Sequence, residues 1–239
     1  MKGIFFSGSQ ILVIVAHPDD EVIGQGGTIH RLVKRESCQA RAVILGEGMT
    51  SRANERVPED WQEQLAKHKA NIERAAECVG YESTGVYDLP DNRFDSVDLL
   101  DIVKFVENEI DKFKPDILLT HHPKDLNIDH RLTCEAVMTA TRPMPGWTAP
   151  SVLAFETLSS TEWQIPEPDY VFQPNVLVAL SEQDVAAKQA ALEAYDTELR
   201  DYPHPRSIRG MKILARRWGM TAGVEFAEGF RVLRSLVTE

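Results

Sequence analysis

Six apolar residues, Ile11 to Ala16, run straight into His17-Pro18-Asp19-Asp20-Glu21. An apolar run this short, ended by proline and acids, reads as a strand buried on both faces of a parallel sheet, with polar side chains delivered at its carboxyl end. In an open α/β sheet, ligands bind at that edge. One imidazole and three carboxylates within five residues need a physical reason, because charges are rarely buried unless paired or bound to a metal. A divalent cation supplies that reason. The ordinary alternative is a solvated acidic helix start, since Asp and Glu suit the first turn of any helix.

A second cluster, His121-His122-Pro123-Lys124-Asp125-Leu126-Asn127-Ile128-Asp129-His130, follows the apolar residues Ile117 to Leu119. It should therefore leave the same edge of the same sheet, and two such clusters favour the cation. A catalytic zinc keeps three protein donors and an open position, whereas a structural zinc is closed by four and commonly includes cysteine. His17, one of Asp19 and Asp20, and His130 compose the open kind, and spacing alone does not say which aspartate ligates. Cys38, Cys78 and Cys134 stand far apart without a Cys-x-x-Cys pair, which argues against a zinc knot or a disulfide framework. Cys134, one turn after His130, reads as a small core residue.

Strand and helix signals alternate along the chain. Glu21 to Arg35 has the apolar spacing of one crossover helix. Gly24, Gly26 and Gly27 lack the order of a nucleotide-binding loop, so they are expected to serve close backbone packing. Gln39 to Leu45 is a second strand, Glu59 to Val79 a helix stopped by Gly80, Val86 to Leu89 a third strand, and Asp98 to Phe113 an amphipathic helix ended before Pro115. His130 opens a further helix, and Arg142-Pro143-Met144-Pro145-Gly146 breaks the pattern. Ser151 to Leu158 and Asn175 to Leu180 are strands, Glu182 to Tyr195 and Ile208 to Trp218 helices, and Gly229 to Val237 a terminal strand. This alternation predicts an α/β chain: a Rossmann-like three-layer fold with a mainly parallel sheet and a small C-terminal β/α extension, in a single domain over residues 1–239.

Loops leaving the sheet's active edge carry further candidates. Arg52 is suited to pairing with an anionic group, and Asp91 to binding a hydroxyl. In Asp201-Tyr202-Pro203-His204-Pro205-Arg206-Ser207, two prolines hold His204 and Arg206 in fixed directions. With Arg216 and Arg217, these arginines make an anionic substituent on the ligand plausible. A net charge of -11 argues against a nucleic-acid backbone as partner. No run approaches the roughly 20 apolar residues of a membrane span. Met1 to Gln10 is broken by Gly3, Ser7, Gly8 and Ser9, unlike a signal peptide, so a cytoplasmic location is expected.

On Ala16-His17-Pro18-Asp19-Asp20-Glu21 and Asp129-His130, the sequence resembles the PIG-L/LmbE family of zinc-dependent N-acetyl-sugar deacetylases. The resemblance implies that His17, Asp20 and His130 hold Zn2+, with Fe2+ or Co2+ as substitutes, and that Asp19 is the general base. It implies hydrolysis of an N-acetylated amino sugar or its conjugate by a zinc-activated water, with release of acetate, and it brings Asp129 into the catalytic set. One departure is Asn127, where many relatives carry a histidine two residues before that aspartate. An amide donates a hydrogen bond but supplies no titrating proton, so His204 becomes the candidate for that acid or for a substrate contact. His68, too, stands where many relatives carry arginine. Two alternatives accompany this reading: a non-catalytic metal-dependent sugar-binding protein, and an amidase acting on an amino-sugar thiol conjugate. A two-histidine, one-carboxylate iron oxygenase is disfavoured by the alternation of strands and helices. A homo-oligomer is compatible with the sequence, which does not decide it.

Overall fold

In the computed structural model, which describes residues 4–145, 147 and 150–236, the apolar run forms β1 (Gln10–Val15) within a seven-stranded sheet. Both faces of β1 are covered: Ile11, Val13 and Val15 enter one core, Leu12, Ile14 and Ala16 the other. The remaining strands are β2 (Gln39–Gly46), β3 (Ser83–Leu89), β4 (Ile117–His121), β5 (Ser151–Phe155), β6 (Val176–Leu180) and β7 (Phe226–Arg234). Their order is β3-β2-β1-β4-β5-β7-β6. The first five run parallel, and β7 is antiparallel to both neighbours. Strand order reverses at β1, where Val13 faces Ala42 of β2 on one side and Leu119 of β4 on the other. The loops after β1 and β4 therefore flank the crevice in which open α/β sheets bind ligands.

The helices are α1 (Asp20–Ile23), α2 (Gly26–Glu36), α3 (Gln62–Val79), α4 (Leu99–Phe113), α5 (Ile128–Ala140), α6 (Glu182–Glu193) and α7 (Ile208–Ala222). Helices α2, α3 and α6 pack on one another over the first core, α4 and α5 pair over the second, and α7 lies against β7. The three layers expected from the alternation are present, and the C-terminal segments extend the same sheet.

Several boundaries differ from the sequence reading. The helix expected over Glu21 to Arg35 is two, parted at Gly24, where an added Cβ would lie 2.1 Å from the Phe155 ring. The close packing expected of this glycine is observed, and the helix is interrupted at the next residue, Gln25, with φ -138° and ψ 5°. Strand β3 starts at Ser83, because pairing with β2 extends past its apolar residues. The strand expected to reach Leu158 stops at Phe155, and β7 begins at Phe226 rather than Gly229. Helix α5 starts at Ile128, ahead of His130, because Asn127 caps it. Gly146 and Val237, assigned above to a loop and to the last strand, lie outside the described residues. Cys134 is buried as expected, and burial pushes its thiol up to about 12.

One buried pair ties the extension to the crossover. Glu228 of β7 accepts the backbone N–H groups of Gly27 (3.1 Å) and Thr28 (2.7 Å) at the start of α2, and Lys188 of α6 donates to it at 2.7 Å. Both side chains are buried. Removing one member of such a pair leaves an uncompensated charge, which costs about 3–5 kcal/mol. Glu228→Ala is therefore expected to lower the unfolding free energy by about that amount, whereas Lys188→Met, which leaves Glu228 its two backbone donors, costs less. Urea titration of the two variants checks the order.

Candidate active site

The site begins with a backbone turn. Asp19 leaves β1 in the left-handed region, φ 98° and ψ -28°, which strains any residue with a Cβ. Its N–H donates to Glu21 Oε2 at 2.9 Å, and its carbonyl accepts from Val22 and Ile23, both at 3.0 Å. Glu21 is itself held: Tyr195 donates its hydroxyl to Oε1, and Tyr81 donates to the Glu21 carbonyl at 2.6 Å. Burial lifts the Glu21 carboxyl to about 7, against the Tyr195 hydrogen bond. The turn sends the side chains of Asp19 and Asp20 to different partners.

Asp20 turns to the histidines. Its Oδ2 accepts the His17 backbone N–H at 2.9 Å and lies 3.4 Å from His17 Nδ1 and 3.3 Å from His130 Nε2. Those two nitrogens are 3.3 Å apart. His17, Asp20 and His130 are buried, and Asp20 Oδ1 has no hydrogen-bond partner among the described residues. Burial works against ionising Asp20, but the surrounding histidines, His130 foremost, together outweigh it and hold the carboxyl well below its ordinary range. The imidazoles respond in the opposite sense: burial disfavours their charge, yet Asp129 and Asp20 raise His17 to about 10, while Asp20 and Asp125 raise His130 to about 9.

A second carboxylate stands behind each imidazole. His17 Nε2 donates to Asp129 Oδ2 at 3.0 Å, and Asp129 Oδ1 accepts the Phe94 N–H at 3.0 Å. His130 Nδ1 donates to Asp125 Oδ1 at 3.0 Å, and Asp125 also accepts from the hydroxyls of Ser160 and Thr161. Burial opposes the Asp125 charge, but these partners hold its carboxyl low. Carboxylates placed in this way fix the tautomer and orientation of metal-binding histidines. His121 stacks on His130 with ring centroids 3.9 Å apart. Its Nε2 accepts the Ala16 N–H at 3.0 Å, so Nδ1 carries the proton toward Thr157 Oγ1; burial lowers it to about 3, keeping the ring neutral.

The fit of a metal to this cluster rests on the donor triangle. Three donors of a tetrahedral ion with bonds of roughly 2.0–2.1 Å stand about 3.3–3.4 Å apart, and the separations in the structure are 3.3, 3.3 and 3.4 Å. His17, Asp91 and Asp129 also have donor atoms close enough for an ion. However, Asp91 Oδ1, the atom that faces His17, already accepts from Asn92 Nδ2 at 3.0 Å, and His17 Nε2 already donates to Asp129, which favours the first group.

Asp19 turns away from the triangle. Its Oδ2 accepts from Arg206 at 2.8 Å, and its buried Oδ1 has no hydrogen-bond partner among the described residues. Burial pushes the carboxyl above its ordinary range, against the pull of Arg206. Arg206 also lies 3.9 Å from Glu198 Oε2, and Glu198 Oε1 accepts from Arg52. Thus Arg52 and Arg206, candidates for binding an anion, both face internal carboxylates. Asp91 Oδ1 lies 3.4 Å from His17 Nε2, at the site's edge. His204 Nδ1 accepts the Arg206 N–H at 3.1 Å, leaving the proton on Nε2, and the ring meets Trp163 edge-on. Asn127 caps α5: Oδ1 accepts the Asp129 N–H at 2.8 Å, and Nδ2 donates to Asn92. Arg216 lies 3.9 Å from Glu225, and Arg217 lies over the Trp218 ring.

Comparison with known proteins bears on these residues. A family model described as PIG-L, GlcNAc-PI de-N-acetylase, matches residues 12–141, more than half of the chain. The chain belongs to the PIG-L family. Among its relatives, 1D-myo-inositol 2-acetamido-2-deoxy-alpha-D-glucopyranoside deacetylase of a Mycobacterium species is 26% identical over 83% of this chain and 77% of its own. Probable N-acetyl-alpha-D-glucosaminyl L-malate deacetylase 2 of Bacillus cereus is 26% identical over 67% and 74%. Among solved structures, N,N'-diacetylchitobiose deacetylase from Pyrococcus horikoshii shares the fold, with a TM-score of 0.69 and 20% identity over 94% of this chain and 84% of that one. All the residues of the donor triangle and the carboxylates behind it fall inside the PIG-L match, whereas Tyr195, Glu198, His204 and Arg206 lie beyond it.

Sequence reasoning missed Asp125, His121 and Glu198. Asp125 stands in the second cluster, five residues before the histidine it orients, and that spacing carries no helix or strand signal. For the PIG-L triangle the pKa directions set a proton linkage. Both imidazoles hold their protons below about pH 9, and an incoming cation must displace one from each, so affinity falls as pH falls. Release of about two protons per bound ion between pH 6 and 8 is expected, or about 100-fold in affinity per pH unit. Titration calorimetry in buffers of different ionisation enthalpy measures it.

Proposed function

We propose that this chain is a metal-dependent hydrolase that removes the N-acetyl group from an amino sugar or amino-sugar conjugate, releasing acetate and a free amine. The observation that carries this reading is a buried carboxylate left outside an open three-donor set: Asp19 stands beside the triangle without belonging to it. A site built only to bind a cation has no use for that second carboxylate. The N-acetylated amino-sugar conjugates named for the mycobacterial and Bacillus relatives are of the same chemical class, and the PIG-L family supports the bond cleaved.

In this reading His17, Asp20 and His130 hold one divalent ion, Zn2+ with Fe2+ or Co2+ as substitutes, and the spacing of the three donors supports a small divalent cation without selecting among them. That ion supplies Lewis acidity, acidifying a water and polarising the acetamido carbonyl. Asp19, whose carboxyl burial raises above its ordinary range and so makes more basic than an exposed aspartate, takes the water's proton. Arg206 holds Asp19 Oδ2, which leaves Oδ1 to receive the proton. Asp129 and Asp125 act through His17 and His130 as positioning residues, and Asn127 acts by capping α5 so that Asp129 meets His17. His204, with Nδ1 occupied as an acceptor, presents Nε2–H as a hydrogen-bond donor beside the departing nitrogen, and the proton that the amine gains is the one Asp19 took from the water. Asp91 serves a sugar hydroxyl at the edge of the site. The chain's acidity and the absence, among the described residues, of a helix long and apolar enough to cross a membrane fit a small soluble substrate in the cytoplasm.

The test is a screen of N-acetylated amino sugars and their conjugates for acetate release, with metal analysis of the same samples. Asp19→Asn is expected to lower kcat by about 100-fold or more while metal content stays unchanged, since general-base catalysis contributes about 10²–10⁴-fold. Retention of full activity would falsify the assignment of the base. His204→Ala is expected to lower kcat more than it raises KM, measured by initial rates; an unchanged kcat removes His204 from the chemistry.

A further inference from the structure

The charges on the rim of the site balance internally. Arg206 meets Asp19 at 2.8 Å and Glu198 at 3.9 Å. Arg52 donates to the same Glu198. On the adjoining loop Arg56 meets Glu47 at 2.9 Å, and Arg93 donates to the Asn54 carbonyl at 3.4 Å. His68, buried on α3, brings its Nε2 to 3.7 Å from Glu198, and burial lowers its pKa, so it adds no positive charge at neutral pH. Glu198 is thus the hub of this rim: one carboxylate, mostly buried, set between two guanidinium groups from opposite ends of the chain.

A carboxylate in that position occupies the place an anionic substrate group would take. Arginine recognises carboxylate and phosphate through paired N–H donors, and here those donors already serve Glu198 and Asp19. An incoming anion must displace Glu198 into a region that also holds Asp19 and Asp91, where like charges repel through a partly desolvated medium. An uncharged polyol or sugar meets no such barrier, and Trp163, 52% exposed beside His204, offers it a flat apolar face. Selectivity of this kind comes from a repulsive element as much as from an attractive one.

We propose that Glu198 is a selectivity residue that directs the site to N-acetylated amino-sugar conjugates with an uncharged aglycone and rejects those bearing a carboxylate or phosphate. The inference rests on the deacetylase reading and narrows its substrate class. It also replaces the expectation, drawn from the arginines alone, that the aglycone is anionic.

The experiment compares kcat/KM of the metal-loaded protein for three N-acetylglucosaminides that differ only in aglycone: methyl, inositol and malate. The inositol and methyl conjugates are expected to exceed the malate conjugate by about ten-fold or more, which is about 1.4 kcal/mol. Glu198→Gln, which keeps the shape and removes the charge, is expected to raise the malate-to-inositol ratio by about ten-fold. Wild-type preference for malate, or a ratio that Glu198→Gln leaves unchanged, overturns the proposal. Calorimetric binding of the inositol and malate conjugates to the wild-type protein reads the same preference without turnover. If no conjugate releases acetate, the deacetylase reading fails, while the binding ratio still decides the role of Glu198.

Discussion

The site converges on one atom, Asp20 Oδ2. A carboxylate at the end of a fully buried strand would be prohibitive in isolation, and it persists because a backbone N–H and two imidazoles face it within 2.9–3.4 Å. Those imidazoles are in turn backed by Asp129 and Asp125, with Asp91 at the edge. Four carboxylates thus surround two histidines, and even with both rings protonated the negative charge is in excess. Protons satisfy such a cluster in part; a dication satisfies it better. The raised values of His17 and His130 and the tetrahedral spacing of their nitrogens therefore express one electrostatic demand.

This demand is met by parts of the chain far apart in sequence. Asp125 links the histidine on α5 to the Ser160–Thr161 turn that carries Trp163 onto the rim. Tyr195 and Arg206, both from the C-terminal extension, fix Glu21 and Asp19 at the end of β1. The extension is consequently part of the site and not an appendage to it. The PIG-L match ends at residue 141, so the donor triangle lies inside it, while the rim joins Arg52, Arg56 and His68 from within the match to Glu198 and Arg206 from beyond it.

The buried strands were legible because an apolar run flanked by turn residues leaves little choice of structure, and β1 and β4 appear where such runs stand. Edges that depend on partners were not legible. Ser83 to Gly85 joins β3 only because β2 offers a ladder, and Phe226 to Glu228 joins β7 only because β6 does. The need for glycine at position 24 follows from the Phe155 ring, which no local period records. Likewise His17, Asp20 and His130 could be read from their motifs, but the separation of the roles of Asp19 and Asp20 came from resemblance and required coordinates for its physical basis. Glu198 looked like any polar residue after a helix; its meaning depends on two arginines brought to it by folding.

The strained turn at Asp19 explains how neighbouring aspartates take different work. Had the chain passed from β1 into an ordinary helix start, no left-handed residue would have been needed, and such a conformation costs a non-glycine residue roughly 1–2 kcal/mol. Glycine at position 19 would relieve that cost. It would also remove the carboxylate that Arg206 holds, so the backbone tolerates the strain, and Glu21, clamped by Tyr195 and Tyr81, supplies the hydrogen bond that sustains it. Because the turn is over-determined from both sides, Asp20 stays on the histidines and Asp19 stays off them. The structure thereby turns one carboxylate to the histidines and its neighbour to Arg206.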